Sequence, residues 1–179
     1  MPITPFHMGP GLLLKSLLQG YFSLIIFAWA QILMDIQPLI VVLTGQGQLH
    51  GFSHTYIGAT LIAIIAAYTG KWIYHWLVYF IENDFTDYQK KLFDVPVKLT
   101  AAICISSAFI GTFSHVLLDS IMHADIQPFY PLDIENQILL IVSIEILHKL
   151  CVYTGLIGIM IFFCIRLVKI SQSFSRNKL

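Results

Sequence analysis

Apolar residues occur in long runs along the chain, and short polar segments separate these runs. Residues 12–18 and 21–34 form the first two runs, and each is too short to span a bilayer comfortably. The residues between them, Gln19 and Gly20, indicate a helix stop, so a tight turn there would fold the two runs into an antiparallel hairpin. The hairpin predicts that His7, before the first run, lies near Asp35, at the end of the second.

Three longer apolar stretches follow the hairpin. The first starts at residue 55, with Ser53 as its expected N-cap, and continues past residue 70 into an aromatic-rich segment. Residues 99–122 and 137–165 form the other two. The pattern predicts an all-α fold, a polytopic membrane helical bundle with an N-terminal short-helix hairpin and about three longer transmembrane helices, in a single domain of residues 1–179.

Lysine and arginine side chains gather at one set of helix ends: Lys15, Lys71, Lys90, Lys91, Lys98, Arg166, Lys169, Arg176 and Lys178. The positive-inside rule assigns these ends to the cytoplasm. Residues 82–98 are then a polar cytoplasmic loop with room for a short amphipathic helix, and residues 166–179 are a basic cytoplasmic tail. We therefore expect a multi-pass protein of the cytoplasmic (inner) membrane.

Composition supports this class and excludes others. The chain is 57% hydrophobic and 11% charged, whereas soluble domains carry about 25% charged residues. Its net charge is zero, so no basic face indicates a nucleic-acid partner. Cys104, Cys151 and Cys164 lie in apolar runs without metal-binding spacing, which predicts buried, inert thiols.

A polar stripe ends the stretch of residues 99–122. His115, Asp119 and His123 follow at four-residue steps, and each step advances only about 40° around a helix. Imidazole and carboxylate groups bind divalent metals, and ionisable residues in an apolar helix suggest function. The alternative interpretation is that two of these residues cap the helix and one histidine is interfacial.

Further metal-ligand side chains fall at the same membrane face, on four separated segments: His7, Asp35, His50, His54, His115, Asp119 and His123. Five of the seven histidines therefore gather at one end. Mixed histidine and carboxylate sites are typical of catalytic zinc, so we expect one or two Zn²⁺ ions or another divalent metal. Bound zinc lowers the pKa of its water to about 7 and so supplies a nucleophile at neutral pH. The site faces the extracytoplasmic side under the charge rule above.

For several residues beside these ligands, the sequence allows more than one role. Asp125 or Glu145 could accept a hydrogen bond from the second ring nitrogen of a metal-bound histidine. Glu145 is also spaced to face His148 and Lys149, which predicts an ion pair inside the bundle or a second contact with the metal site. Ser53 and Ser114 adjoin ligands and are expected to cap helices or donate hydrogen bonds.

At these residues the chain resembles the membrane-bound metal-dependent hydrolase family of small prokaryotic multi-helix proteins. The resemblance runs from TPFH at residues 4–7 through Asp35 and HGFSHT at residues 50–55 to SHVLLDSIMH at residues 114–123. One departure is Gln37, which stands where the family has a second acid. The resemblance implies a metal-activated water and a ligand set formed by His7, Asp35, His54, His115 and Asp119.

Together these patterns predict a hydrolase whose substrate is amphiphilic, such as a lipid phosphoester or ester, with membrane lipid as its partner. The expected metal ligands are His7, Asp35, His50, His54, His115 and Asp119. The expected catalytic residues are Asp119, His123, Asp125 and Glu145. Two alternatives remain: a metal transporter or sensor, and a structural membrane protein whose metal ties helix ends together.

Overall fold

The computed structural model describes residues 5–94 and 99–176, and within them every regular element is helical. Six α-helices follow in chain order: α1 Met8–Leu18, α2 Leu24–Thr44, α3 Tyr56–Asp84, α4 Asp87–Leu92, α5 Ala101–Met122 and α6 Ile144–Arg176. Four of them, α2, α3, α5 and α6, are long and apolar enough to cross a membrane. The predicted all-α membrane bundle is confirmed.

The second helix is longer than its sequence suggested. We expected a short run ending at Asp35, but α2 continues through Pro38 to Thr44. Pro38 is fully buried among neighbouring helices, and such packing tolerates the carbonyl that proline leaves without a donor. Gly45 ends the helix in the left-handed conformation, with φ 68°, and its N–H bonds the Val41 carbonyl. The N-terminal hairpin thus has one short arm, α1, and one arm of membrane-spanning length.

Other boundaries also differ from the sequence expectation. Thr55, not Ser53, caps α3, because its hydroxyl accepts the Gly58 N–H. The last helix begins at Ile144 instead of residue 137, because turns at residues 137–143 attach to the end of α5 through a bond from the Leu140 N–H to the Ile121 carbonyl. It continues to Arg176 and so includes most of the predicted tail. Cys164 is exposed, unlike the other two cysteines.

Small residues pack α2, α3 and α5 into the centre of the bundle. Their shared buried cluster comprises Ile26, Ala30, Ala63, Ala66, Cys104 and Ala108. Short side chains let helix axes approach closely, which is how transmembrane helices gain contact when lipid is as apolar as the protein. A second buried cluster, formed by Met34, Ala59 and Val116, places the middle of α2 beside the C-terminal half of α5.

An ion-pair network joins three chain segments at the end of the bundle where α1 turns into α2. Asp94, which follows α4, lies 2.8 Å from the Lys15 ammonium and 2.6 Å from the Arg166 guanidinium. Lys15 also donates to the carbonyls of Gln19 and Phe22. The network connects α1, the loop after α4 and α6. Residues 95–98 of the predicted polar loop lie outside the described residues.

Glycines allow α1 to lie directly against α6. A Cβ on Gly158 would lie 2.5 Å from the Leu13 amide nitrogen and 2.7 Å from the Leu13 Cα. A Cβ on Gly155 would lie 3.2 Å from the Gly9 Cα. Since these neighbours are backbone atoms, neither position has room for a side chain without separating the helices.

We expect Gly158→Ala to destabilise the protein by about 1–3 kcal/mol, because overpacking against backbone outweighs the better helix propensity of alanine. The measurement is thermal unfolding in detergent, with Gly20→Ala as the control, since a Cβ on Gly20 meets no atom within 4 Å. A Gly158→Ala protein as stable as the wild type would contradict this close contact.

Candidate metal centre

Five buried side chains from four chain segments meet at one end of the bundle, and we call them the inner group: His7, Asp35, His54, His115 and Asp119. Each is at most 8% exposed. The turn before α1 supplies the first, α2 the second, and the short turn before α3 the third. Helix α5 supplies the last two, one turn apart. The inner group therefore contains five of the six predicted ligands, and a ring nitrogen of the sixth, His50, lies within 4.8 Å of ligand atoms of His54 and Asp119.

Asp119 lies at the centre of the inner group. One of its carboxylate oxygens is 3.3 Å from Nε2 of His7. The other is 3.3 Å from Nε2 of His54 and 3.2 Å from Nε2 of His115. Asp35 adds a second carboxylate, 3.4 Å from the same His115 nitrogen. His7 and Asp35 thus meet the same His115 ring, as the predicted hairpin required.

The ring nitrogens that face Asp119 have no hydrogen-bond partner in the described part of the chain. This holds for Nε2 of His7, His54 and His115, all of which are buried. Two ligands of one tetrahedral zinc, each about 2.1 Å from the ion, lie about 3.4 Å apart. The observed nitrogen–oxygen separations of 3.2–3.4 Å match that spacing. The inner group could therefore hold a divalent metal.

A glutamine that we did not single out fixes the orientation of His115. The Gln31 Nε2 donates to the Gly111 carbonyl at 3.1 Å, so its Oε1 faces His115 and accepts from the Nδ1–H. This bond leaves the Nε2 lone pair directed at the two aspartates, as a metal ligand requires. A signal was present, since a glutamine inside an apolar helix, four residues before Asp35, shares its face.

The loop that carries His54 is held by α2. The Gln37 Oε1 accepts the Ser53 N–H at 3.0 Å, and its Nε2 donates to the Gln48 carbonyl. The Ser53 hydroxyl in turn lies 2.9 Å from Nδ1 of His54, which leaves the Nε2 of that ring for the inner group. Gln37 therefore positions the loop instead of contributing a ligand.

Three more residues form an outer group at the mouth of the site: His50, His123 and Asp125. Nδ1 of His50 lies 3.0 and 2.9 Å from the two oxygens of Asp125. The His123 ring stacks on the His50 ring with centroids 4.3 Å apart. His50 is buried, His123 is half-buried and Asp125 is exposed. The outer group adjoins the inner one, because the rings of His50 and His54 are in edge contact.

Burial favours the neutral form of three histidines outside the membrane-spanning helices, His7, His54 and His123. It lowers the pKa of His7 to about 4, and the nearby His115 acts in the same direction. Burial also lowers the pKa of His54 and, together with His50, that of His123. A neutral imidazole is the form that binds a metal, so these rings are ready as ligands near pH 7.

Two sequence candidates lie elsewhere. Glu145 is exposed and pairs with Lys149 at 2.6 Å, so this ion pair is at the surface and not inside the bundle as expected. His148 stacks on Phe6 with centroids 4.5 Å apart. Neither has a contact with the inner group among the described residues. Ser114 does approach it indirectly, since its hydroxyl accepts from Gln31 at 3.4 Å.

Comparison with known proteins gives one result on family. A family model described as YdjM inner membrane protein matches residues 12–174, which include most of α1 and nearly all of α6. The matched range contains both groups except for His7. No curated protein and no solved structure gives a match.

We expect Gln31→Met to weaken zinc binding by about 10–100-fold, because the His115 ring loses the acceptor that fixes its tautomer. The measurement is zinc titration of metal-stripped protein in detergent. Gln46→Met, in the exposed loop after α2, is the matched control. Equal affinity in the two variants would contradict the role assigned to Gln31.

Proposed function

We propose that this chain, which belongs to the YdjM inner membrane protein family, is a membrane-embedded hydrolase that uses a divalent metal ion, with Zn²⁺ as the first candidate. The observation that carries this proposal is the convergence of three unpartnered histidine nitrogens on the buried Asp119 carboxylate. Buried polar nitrogens without a partner in an apolar interior are costly, and a bound metal ion would satisfy their lone pairs.

The inner group supplies the ligands. His7, His54 and His115 would bind through Nε2, and Asp119 and Asp35 through carboxylate oxygens. The two carboxylates would neutralise the charge of a divalent ion inside the bundle. Gln31 and Ser53 hold two of the rings in the required orientation. A bound zinc would supply a water acidic enough to act as a nucleophile near pH 7.

A direct attack by water fits the side chains present. The Ser53 hydroxyl lies 2.9 Å from Nδ1 of His54, so it is already engaged. Cys104 packs in the apolar cluster of α2, α3 and α5, and no cysteine of the described residues belongs to the His/Asp groups. The chemistry that this supports is hydrolysis of an ester or phosphoester without a covalent enzyme intermediate.

The depth of the site favours an amphiphilic substrate. His115 lies seven residues before the end of α5, so the deepest residue that α5 contributes is about 10 Å inside the helix end. A substrate that lies in the bilayer interface could bring its polar group to this depth while its apolar part stays among the helices. A lipid phosphoester or ester is the proposed substrate class.

A structural metal is the main rival. Five donors are more than the four that a closed structural zinc site needs, so the ion could simply tie α2, α5 and the two loops together. A structural ion and a catalytic ion differ in what their removal does. Loss of a structural ion lowers the stability of the protein alone, whereas loss of a catalytic ion abolishes hydrolysis.

We expect wild-type protein purified in detergent to contain zinc or another transition metal, and His115→Ala and Asp119→Ala to lose the ion of the inner group. The measurement is elemental analysis. His75→Ala is the control, because His75 lies about 28 Å along α3 from its start and donates to the Lys71 carbonyl. Wild-type protein that is metal-free and binds no added zinc would overturn the proposal.

The same variants test hydrolysis. We expect wild type and His75→Ala to cleave lipid phosphoesters or esters in mixed micelles, and His115→Ala and Asp119→Ala to lose at least 100-fold in rate, since about 2.7 kcal/mol of transition-state stabilisation corresponds to that factor. Metal-loaded wild-type protein without any such activity would favour the structural ion.

We also propose that the site faces away from the cytoplasm, because nine of the ten lysines and arginines are assigned to the other helix ends, and Lys149 near the start of α6 is the exception. A reporter fused after Leu179 is expected to be active only in its cytoplasmic form. An extracytoplasmic readout would reverse this orientation.

A further inference from the structure

The outer group forms a second set of metal donors, and His50 joins it to the inner group, because a ring nitrogen of His50 also lies within 4.8 Å of ligand atoms of His54 and Asp119. One nitrogen from each of His50 and His123 and one oxygen of Asp125 all lie within 4.8 Å of one another. The inner group already offers five donors, which is enough for one ion. Three protein ligands with open positions are also the composition of a catalytic zinc site.

A simpler explanation accounts for only part of this arrangement. The His50 Nδ1–H could donate to Asp125, and that bond alone would orient the His50 ring. It gives no role to His123, whose side chain makes no hydrogen bond within residues 5–94 and 99–176 and instead stacks on His50. An imidazole that is half-buried beside a second imidazole and a carboxylate has the surroundings of a ligand.

We propose that His50, His123 and Asp125 bind a second divalent metal ion at the mouth of the site. The ion would bind the His50 tautomer that carries its ring proton on Nε2, so that the Nδ1 lone pair, one nitrogen of His123 and the Asp125 carboxylate are its ligands. This inference deepens the proposed function, because paired ions in hydrolases bind and polarise the substrate as well as the attacking water.

The position of the group defines what it would contact. Its carboxylate is 53% exposed, whereas the His50 side chain is 4% exposed, so one side of the outer site is open to water and the other adjoins His54. A phosphate or carboxyl headgroup that enters from the membrane surface would meet the outer ion first. The outer ion therefore has a natural role in binding an anionic headgroup.

The test is the zinc stoichiometry of metal-stripped protein titrated with ZnSO₄, followed by dialysis and elemental analysis. We expect two equivalents per chain in the wild type and in His75→Ala, and a loss of one equivalent in both Asp125→Asn and His123→Ala. Asparagine keeps an oxygen that accepts the His50 Nδ1–H but is a poor metal ligand, so Asp125→Asn separates a ligand from an orienting partner.

A wild type that binds one equivalent, or variants that keep both, would overturn the outer site. Because the readout is stoichiometry, its failure differs from failure of the proposed function. Protein with two ions and no hydrolytic activity contradicts the hydrolase alone. Protein with one ion and lipid hydrolysis contradicts the outer site alone.

Discussion

A carboxylate enclosed by an apolar helix bundle is the constraint that governs this structure. Asp119 is 4% exposed, and an isolated ionised carboxylate in such a place costs several kcal/mol. Helix α5 itself places only His115 beside this carboxylate, one turn away. The remaining donors must come from distant segments, so the turn before α1, the middle of α2 and the turn before α3 all converge on one carboxylate.

The groups that contact the Nδ1 atoms of the histidines differ between the interior and the mouth of the site. In the interior, a neutral amide and a neutral hydroxyl orient His115 and His54. At the mouth, where water can solvate a charge, the exposed carboxylate of Asp125 contacts His50. This gradient follows from the energetics of burial, because an uncharged hydrogen-bond acceptor is far cheaper to enclose than a second unpaired anion. The same logic explains how a strongly polar site can persist within membrane-spanning helices.

The sequence predicted the residues of the site better than it predicted the residues and helix boundaries that position them. Periodicity placed His115 and Asp119 on one helix face. The gathering of histidines at one end of the helices predicted that His7, Asp35 and His54 lie near them. It missed Gln31, since one glutamine in an apolar run carries no chemistry of its own and gains a role only when α5 packs beside it. It also ended α2 at Asp35, because a proline is a stop signal locally, whereas buried packing around Pro38 is a tertiary effect. Glu145 was grouped with the site on spacing alone, and spacing within α6 says nothing about which way that helix turns.

The contact between α1 and α6 has a consequence for biogenesis. Helix α1 finds its main partner in α6, which is synthesised after all the other helices that the structure describes, so α1 has no complete packing surface until α6 has been made. His7 directly precedes α1, and its place beside Asp119 depends on that late docking. Assembly of the complete inner group thus waits for the insertion of α6. A chain that stalls or is cleaved before α6 would lie in the bilayer with His7 undocked and the inner group incomplete.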